Sequence, residues 1–432
     1  MSARIVFQDL SPLDTIPSED ERRWLEKLAQ DTTTSDYVVD FGQSVAASSP
    51  GPVVQCGPDG IWRAGRYIGE IYRDGRVLEI QPRLGIETIA AWAGAALNVR
   101  IVPDAAEHAH SPGFVAELLA AAWRATVTSA ARHGPPALRA TVRHVSPHVR
   151  GRLDLSATLA LRAARSPNVV STSRPKQLDN PVSSTIVLAD RVLDRALHRT
   201  GWRGQRIDEL LPQLKAVVGS RAALPTQRSL ARVRYTPMTL PYRGAAELSW
   251  RIARNRGLLA NAADHTDSGL LIDVAELWEL FVLHCARRAF GSAHVTHGTR
   301  LIRSGALLRA VDDPARALGR LYPDLVIGPL QHPWAIVDAK YKRLADPVGV
   351  VPEDLYQINA YLSVHASAPL PLGMLAYVDL PGQTAISRAE KLGPWGTTIG
   401  HPVRFQRLPV TADHCIAAMQ QLVPRPHPQV PR

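Results

Sequence analysis

Tyr322-Pro323-Asp324-Leu325-Val326-Ile327-Gly328, followed after a short turn by Trp334-Ala335-Ile336-Val337-Asp338-Ala339-Lys340-Tyr341-Lys342, decides how the rest of this 432-residue chain is read. Both halves are short apolar runs rich in β-branched residues, the pattern of buried strands. The stretch from Pro329 to Trp334 between them holds two prolines, Pro329 and Pro333, which interrupt any continuous element and leave a hairpin. Side chains alternate across a strand, so Asp338 and Lys340 share one face, while Asp324 opens the partner strand. Two acids and an amine at the ends of buried strands are costly unless something pairs with them. A divalent cation is the natural partner, because carboxylates are the ligands Mg²⁺ prefers.

Those residue types suit phosphodiester hydrolysis. Carboxylate-held Mg²⁺ neutralises charge on a scissile phosphate and lowers the pKa of a bound water. A lysine beside it can position or deprotonate that water, or stabilise the charge that develops. The bland alternative is a hairpin whose strand-end charges are solvated. Lysine usage weighs against it: the chain has 44 arginines and only six lysines, and two of the six are Lys340 and Lys342. A chain that uses Arg nearly everywhere but Lys here points to the ammonium itself, since only Lys has a readily shifted pKa.

Pro323-Asp324 followed by Asp338-Ala339-Lys340 resembles the PD-(D/E)xK nuclease signature, in the variant with Asp as its second acid. Glu353-Asp354-Leu355-Tyr356-Gln357-Ile358-Asn359-Ala360-Tyr361 is similar to the Asp-x-x-Gln-x-x-x-Tyr helix after the nuclease core in the McrC family, the endonuclease subunit of the McrBC modification-dependent (5-methylcytosine) restriction system. Asp273-Val274-Ala275-Glu276-Leu277-Trp278-Glu279-Leu280-Phe281-Val282 looks like the same family's helix with an aromatic-Glu pair before an aromatic. Softer matches are Gly69-Glu70-Ile71 with Leu78-Glu79-Ile80-Gln81-Pro82-Arg83, and Arg150-Gly151-Arg152-Leu153-Asp154. The resemblance runs from about residue 65 to 385. It implies metal-dependent cleavage of double-stranded DNA, with Mg²⁺ or Mn²⁺ held by Asp324, Asp338 and the Ala339 backbone carbonyl; Glu279 is a candidate third carboxylate to complete the shell, its bland reading being a surface glutamate. It gives Lys340 the task of orienting the attacking water and sets Gln357 in support. It also implies a separate McrB-like AAA+ ring that hydrolyses GTP and reads modified DNA. Residues 1–60 have no counterpart in that resemblance. Two rival readings stand beside it: a stand-alone nuclease of the same fold in repair or recombination, and a non-catalytic DNA-binding adaptor.

The expected architecture is α+β or α/β: a β-rich N-terminal domain over residues 1–145 for docking or recognition, a helical region over 146–250, a nuclease core with a mixed sheet flanked by helices over 251–423, and a Pro-rich disordered tail over 424–432. Asp74-Gly75 between Ile71 and Val77 is a two-residue hairpin turn. Trp24, Leu25 and Leu28 make an amphipathic helix of Glu19 to Gln30. Asp179-Asn180-Pro181 opens a long helix through about Arg199. Helices are expected over 243–262, 273–290 and 353–365, a buried strand over 372–380 and edge strands within 397–410. Gln357 and Tyr361, four apart, share a helix face, and Tyr361 is read as packing.

The formal charge is +11, the footprint of a polyanion binder or of an arginine-rich solvated surface. Arg143, Arg150, Arg152, Arg162 and Arg165 are read mainly as a charged face. No run is long and apolar enough for a membrane span, so no membrane partner is expected. Cys56, Cys285 and Cys415 are far apart in sequence and fit neither a disulfide framework nor a zinc site, which points to a reducing cytoplasm. Glu107-His108-Ala109-His110, and His144 with His148, lack a convincing set of metal partners. No Gly-x-x-x-x-Gly-Lys-Ser/Thr loop occurs, so nucleotide hydrolysis is expected to lie with a partner.

Overall fold

Strand Leu372–Val378 is buried at every residue, and the larger of two mixed sheets is built outward from it in the computed structural model. The structure describes residues 4–30, 37–39, 51–97, 114–197, 200–220, 222–254, 268–298, 306–313, 315–344, 350–365, 369–380, 386 and 388–423. The chain divides into two units, Met1–Ala122 with Asn255–Arg432, and Trp123–Arg254. The stretch Glu107 to His110 and the expected tail 424–432 lie outside the described residues.

The six-stranded sheet of the first unit runs Val295–His297, Leu325–Ile327, Ala335–Lys340, Leu372–Val378, Pro402–Leu408, Trp395–Gly396. Leu325–Ile327 pairs antiparallel with Ala335–Lys340, as the two-proline turn requires, and Trp334 N closes that turn on Ile327 O at 2.7 Å. Ala335–Lys340, Leu372–Val378 and Pro402–Leu408 are parallel. Strands covered on both faces read as continuous apolar runs, and the run Leu372 to Val378 is one. The expectation of edge strands within 397–410 needs correcting. Pro402–Leu408 is an interior strand, and Trp395–Gly396 forms the edge. Its alternating pattern, with Val403, Phe405 and Leu408 buried and Arg404, Gln406 and Arg407 half-buried, mimics an edge strand. Helix Val274–Phe290 and helix Pro352–Ser363 occupy the expected positions. Ile358 and Leu362 of the latter pack with Ile336, Leu375, Tyr377 and Phe405 of the sheet. Helix Ala412–Leu422, with Cys415 and Met419 buried, was not foreseen.

The five-stranded sheet of the same unit runs Arg4–Gln8, Arg76–Gln81, Tyr67–Arg73, Ser268–Asp273, Val38–Val39. Tyr67–Arg73 and Arg76–Gln81 form the expected hairpin. Both turn residues, Asp74 and Gly75, have positive φ, the geometry that a two-residue turn between right-twisted strands demands. The expected helix Glu19–Gln30 lays Trp24, Leu25 and Leu28 into this sheet's core. Ser268–Asp273, from late in the sequence, is antiparallel to Tyr67–Arg73. Asp273 then caps the next helix, accepting from Ala275 N at 2.9 Å, so the N-terminal sheet leads straight into the helix that carries Glu279.

The unit Trp123–Arg254 is built around helices Pro181–Leu197 and Tyr242–Arg254, with Gln205–Val218 and Gln227–Ala231. Asn180 caps the first of these through Oδ1, which accepts from Val182 N and Ser183 N. Val142–Ser146, Val169–Ser173 and Arg152–Leu153 make a small sheet beside helix Leu155–Ala163. The five arginines singled out there are exposed. His144 Nε2 lies 2.8 Å from Ser173 Oγ, and His148 is exposed. Among the described residues no helix is long and apolar enough to cross a membrane.

Candidate cation and phosphate site

The hairpin register places the two acids. Continuing the Leu325–Val337 pairing by one residue sets Asp324 opposite Asp338. Their carboxylates lie within hydrogen-bonding reach of each other. Asp324 Oδ2 also accepts the Ala339 N–H at 2.6 Å, which ties it to the backbone between Asp338 and Lys340. Gly298 makes this approach possible. Its N–H donates to Asp324 O at 3.2 Å, and a Cβ there would stand 2.1 Å from Pro323 O. Gly298→Ala is therefore expected to push the Pro323-Asp324 corner outward and destabilise the protein by about 1–3 kcal/mol, read as a lowered thermal midpoint. A midpoint equal to wild type would show that the corner yields freely.

Glu279 projects from helix Val274–Phe290 near enough to act on Asp324 electrostatically. It lies 2.8 Å from Nε2 of the fully buried His297. Burial, then the negative charges of Glu279 and Asp338, hold Asp324 well above the usual carboxylate range. Burial raises Asp338 as well, against the pull of Lys340. Burial alone would lower the Lys340 ammonium, but Asp338, Asp354 and Asp324 outweigh it and raise it.

Lys340 is the hub of the polar network. Its Nζ is 2.7 Å from Asp338 Oδ2, 3.5 Å from Asp354 Oδ1, and donates to Gln357 Oε1 at 2.8 Å. Gln357 Nε2 donates to the Tyr361 hydroxyl at 2.7 Å, and that hydroxyl donates to Tyr322 O at 3.0 Å. The chain of contacts thus returns to the residue two before Asp324. Reading Tyr361 as packing alone is corrected here: the ring is buried, yet its hydroxyl links the helix to the hairpin. Asp354 was quoted in the helix motif without a task. It is buried and takes Lys342 at 2.6 Å and the Tyr377 hydroxyl at 3.2 Å. Its spacing three before Gln357 was the available signal. His297 offered none, being a single histidine in a stretch without a motif.

Among the described residues, no three His, Cys, Asp or Glu side chains are gathered into a metal cage. The donor set still suits Mg²⁺, which keeps several waters and is commonly held by one or two carboxylates together with substrate phosphates. Asp338 Oδ2 is the most telling atom. It is buried, and the Lys340 ammonium stands 2.7 Å from it.

A family model described as McrBC 5-methylcytosine restriction system component matches residues 62–377. Among solved structures, a chain in the refined half-complex of the tetradecameric assembly of Thermococcus gammatolerans McrB AAA+ hexamers with bound McrC is similar. It is 14% identical with a TM-score of 0.51, over 98% of this chain and 100% of that one. A chain of the Thermococcus gammatolerans McrBC complex is 16% identical with a TM-score of 0.40, over 67% and 88% of the two chains. The first likeness is one of fold, and the second is too distant to carry an argument. No curated protein matches the chain.

Proposed function

This chain belongs to the McrBC 5-methylcytosine restriction system component family, and from that membership we propose that it is the nuclease subunit of such a system, cleaving phosphodiester bonds in modified double-stranded DNA. The observation that carries the reading is the convergence of Asp324 and Asp338, bound through Ala339 N and faced by Lys340. Two buried carboxylates, with one ammonium beside Asp338, form an anionic pocket that a divalent cation would neutralise.

Asp324 and Asp338 would hold Mg²⁺ or Mn²⁺, with the Ala339 carbonyl and Glu279 as further oxygen donors. When bound, that cation supplies charge neutralisation at the phosphate and a more acidic water. The carboxylates of Asp338, Asp354 and Asp324 favour the charged form of Lys340. The lysine therefore serves better as a donor that orients water and stabilises developing negative charge than as a base. Gln357 fixes the ammonium by accepting one of its hydrogens, and Tyr361 fixes Gln357. Asp354 draws on the other side of Lys340 and anchors Lys342.

Gln357→Leu is expected to lower cleavage roughly 10- to 100-fold, the range for groups that orient a metal site from outside its direct ligands, with DNA binding little changed. Unaltered single-turnover rates would remove Gln357 from the machinery.

The solved relative contains McrB AAA+ hexamers with McrC bound, and this chain carries no phosphate-binding loop. A separate AAA+ GTPase ring is thus its proposed partner. The test is cleavage of 5-methylcytosine-containing duplex DNA by the chain with Mg²⁺ and GTP, with and without the AAA+ protein encoded beside it. Cutting is expected only with both proteins and both cofactors. GTP hydrolysis by the pair without any DNA scission would sink the nuclease reading.

A further inference from the structure

Asp9 follows the first strand of the N-terminal sheet and is fully buried. Its Oδ1 accepts the Arg83 backbone N–H at 2.6 Å, and its Oδ2 accepts the Tyr341 hydroxyl at 2.6 Å. The Arg83 side chain closes the triangle. Its Nε stands 3.4 Å from Asp9 Oδ2 and donates to the Tyr341 oxygen at 3.3 Å. Its guanidinium carbon lies 4.6 Å from the centre of the Tyr341 ring. Tyr341 is the residue after Lys340. Its ring meets Trp92 edge-on at 6.0 Å. Trp92 packs on Trp278 and Phe281 at 5.0 and 5.4 Å, the residues one before and two after Glu279 on its helix.

Stability alone is a poor account of this cluster. Buried charge pairs return little net free energy compared with apolar residues of the same volume. Arg83 Nη2 is buried without a hydrogen-bond partner among the described residues, a further cost. The arrangement does supply direction. A short hydrogen bond from its hydroxyl to Asp9, a longer one accepted from Arg83 Nε and a cation over the ring orient Tyr341, and with it the backbone that presents Lys340 and Asp338.

We propose that Asp9, Arg83 and Tyr341 are positioning residues that set the strand end bearing Asp338 and Lys340, which makes the N-terminal sheet a working part of the cation site. This rests on the nuclease reading above. Tyr341→Phe removes one oxygen and keeps the ring. Asp9→Asn keeps the shape and removes the charge. Each, as full-length protein with its AAA+ partner, GTP and Mg²⁺, is expected to lower kcat at least about 10-fold with KM for DNA within about twofold of wild type. Mn²⁺ affinity, titrated calorimetrically on the chain alone, is expected to fall at least about 5-fold. The double variant is expected to lose no more than the worse single one. A merely structural cluster would instead lower the thermal midpoint and leave kcat per folded molecule and Mn²⁺ affinity at wild-type values, and that result overturns the proposal. Should Asp9→Asn fail to fold, Tyr341→Phe decides alone. If the wild type neither cuts nor binds Mn²⁺, the nuclease reading fails and takes this proposal with it. If the wild type cuts, Asp338→Ala does not, and Tyr341→Phe matches wild type, only the positioning proposal fails.

Discussion

Asp338→Ala is expected to abolish Mg²⁺-dependent DNA cleavage, by about 10³-fold or more, equivalent to about 4 kcal/mol of transition-state stabilisation. The carboxylate is buried, opposes Asp324 across the hairpin, and is the nearest anion to Lys340. Its removal takes away one of two converging oxygen donors and releases the ammonium. The fold is expected to survive. Lys340 keeps Asp354 and Gln357 as partners, and Asp324 loses a like-charged neighbour. GTP hydrolysis by the AAA+ partner, measured in the same preparation, is therefore expected to stay at its wild-type stimulated rate. Scission by this variant in Mg²⁺ would mean that the proposed site is not where cleavage occurs. Loss of both activities together would point to misfolding rather than chemistry.

Asp324→Asn is expected to act in opposite directions on activity and on stability. Cleavage falls as for Asp338→Ala, because a carboxylate donor is lost. The metal-free protein becomes more stable at neutral pH. Asp324 sits well above the ordinary carboxylate range because burial and the charges of Glu279 and Asp338 disfavour its ionised form. A group raised in the folded state binds more protons there than in the unfolded chain. Its contribution is thus present at low pH and is lost as pH rises through the folded value. At pH 7 ionising this buried carboxyl is a net liability to the metal-free fold. The asparagine variant is expected to melt higher than wild type at pH 7 without metal and to show a flatter dependence on pH. Added Mg²⁺ or Mn²⁺ is expected to raise the wild-type midpoint, since a ligand that binds only the folded state stabilises it, and to raise the variant's less. A variant that melts lower at pH 7, or one that gains as much from Mn²⁺ as wild type, would show that Asp324 is not under this electrostatic load.

Much of the site was legible because it is local. A strand pair joined by a short turn leaves one register open, so Pro323-Asp324 and Asp338-Ala339-Lys340 could be set together from spacing alone, and the structure brings Asp324, Asp338 and Lys340 into one network. Gln357 and Tyr361 were placed on one helix face by their separation of four, and that face meets Lys340. Glu279 was located on its helix, and its proximity to Asp324 follows only from how that helix lies on the sheet. Asp354 stood in the helix motif without a partner, and His297 went unnoticed, for the same reason. Nothing in either residue's own neighbourhood says which buried cation or carboxylate it will meet.

The chain's local chemistry thus determined the hairpin, its acids and lysine, the Gln357 helix, the Asp74-Gly75 turn and the Glu19–Gln30 helix, because turns, caps and side-chain periods act over a few residues. Tertiary structure alone decided which strands neighbour one another. Ser268–Asp273 joins a sheet formed some two hundred residues earlier, Pro402–Leu408 lies inside its sheet rather than at the edge, and Asp9 reaches Tyr341. Such pairings depend on closing long loops against burial of many side chains at once, a balance that no short window of sequence contains.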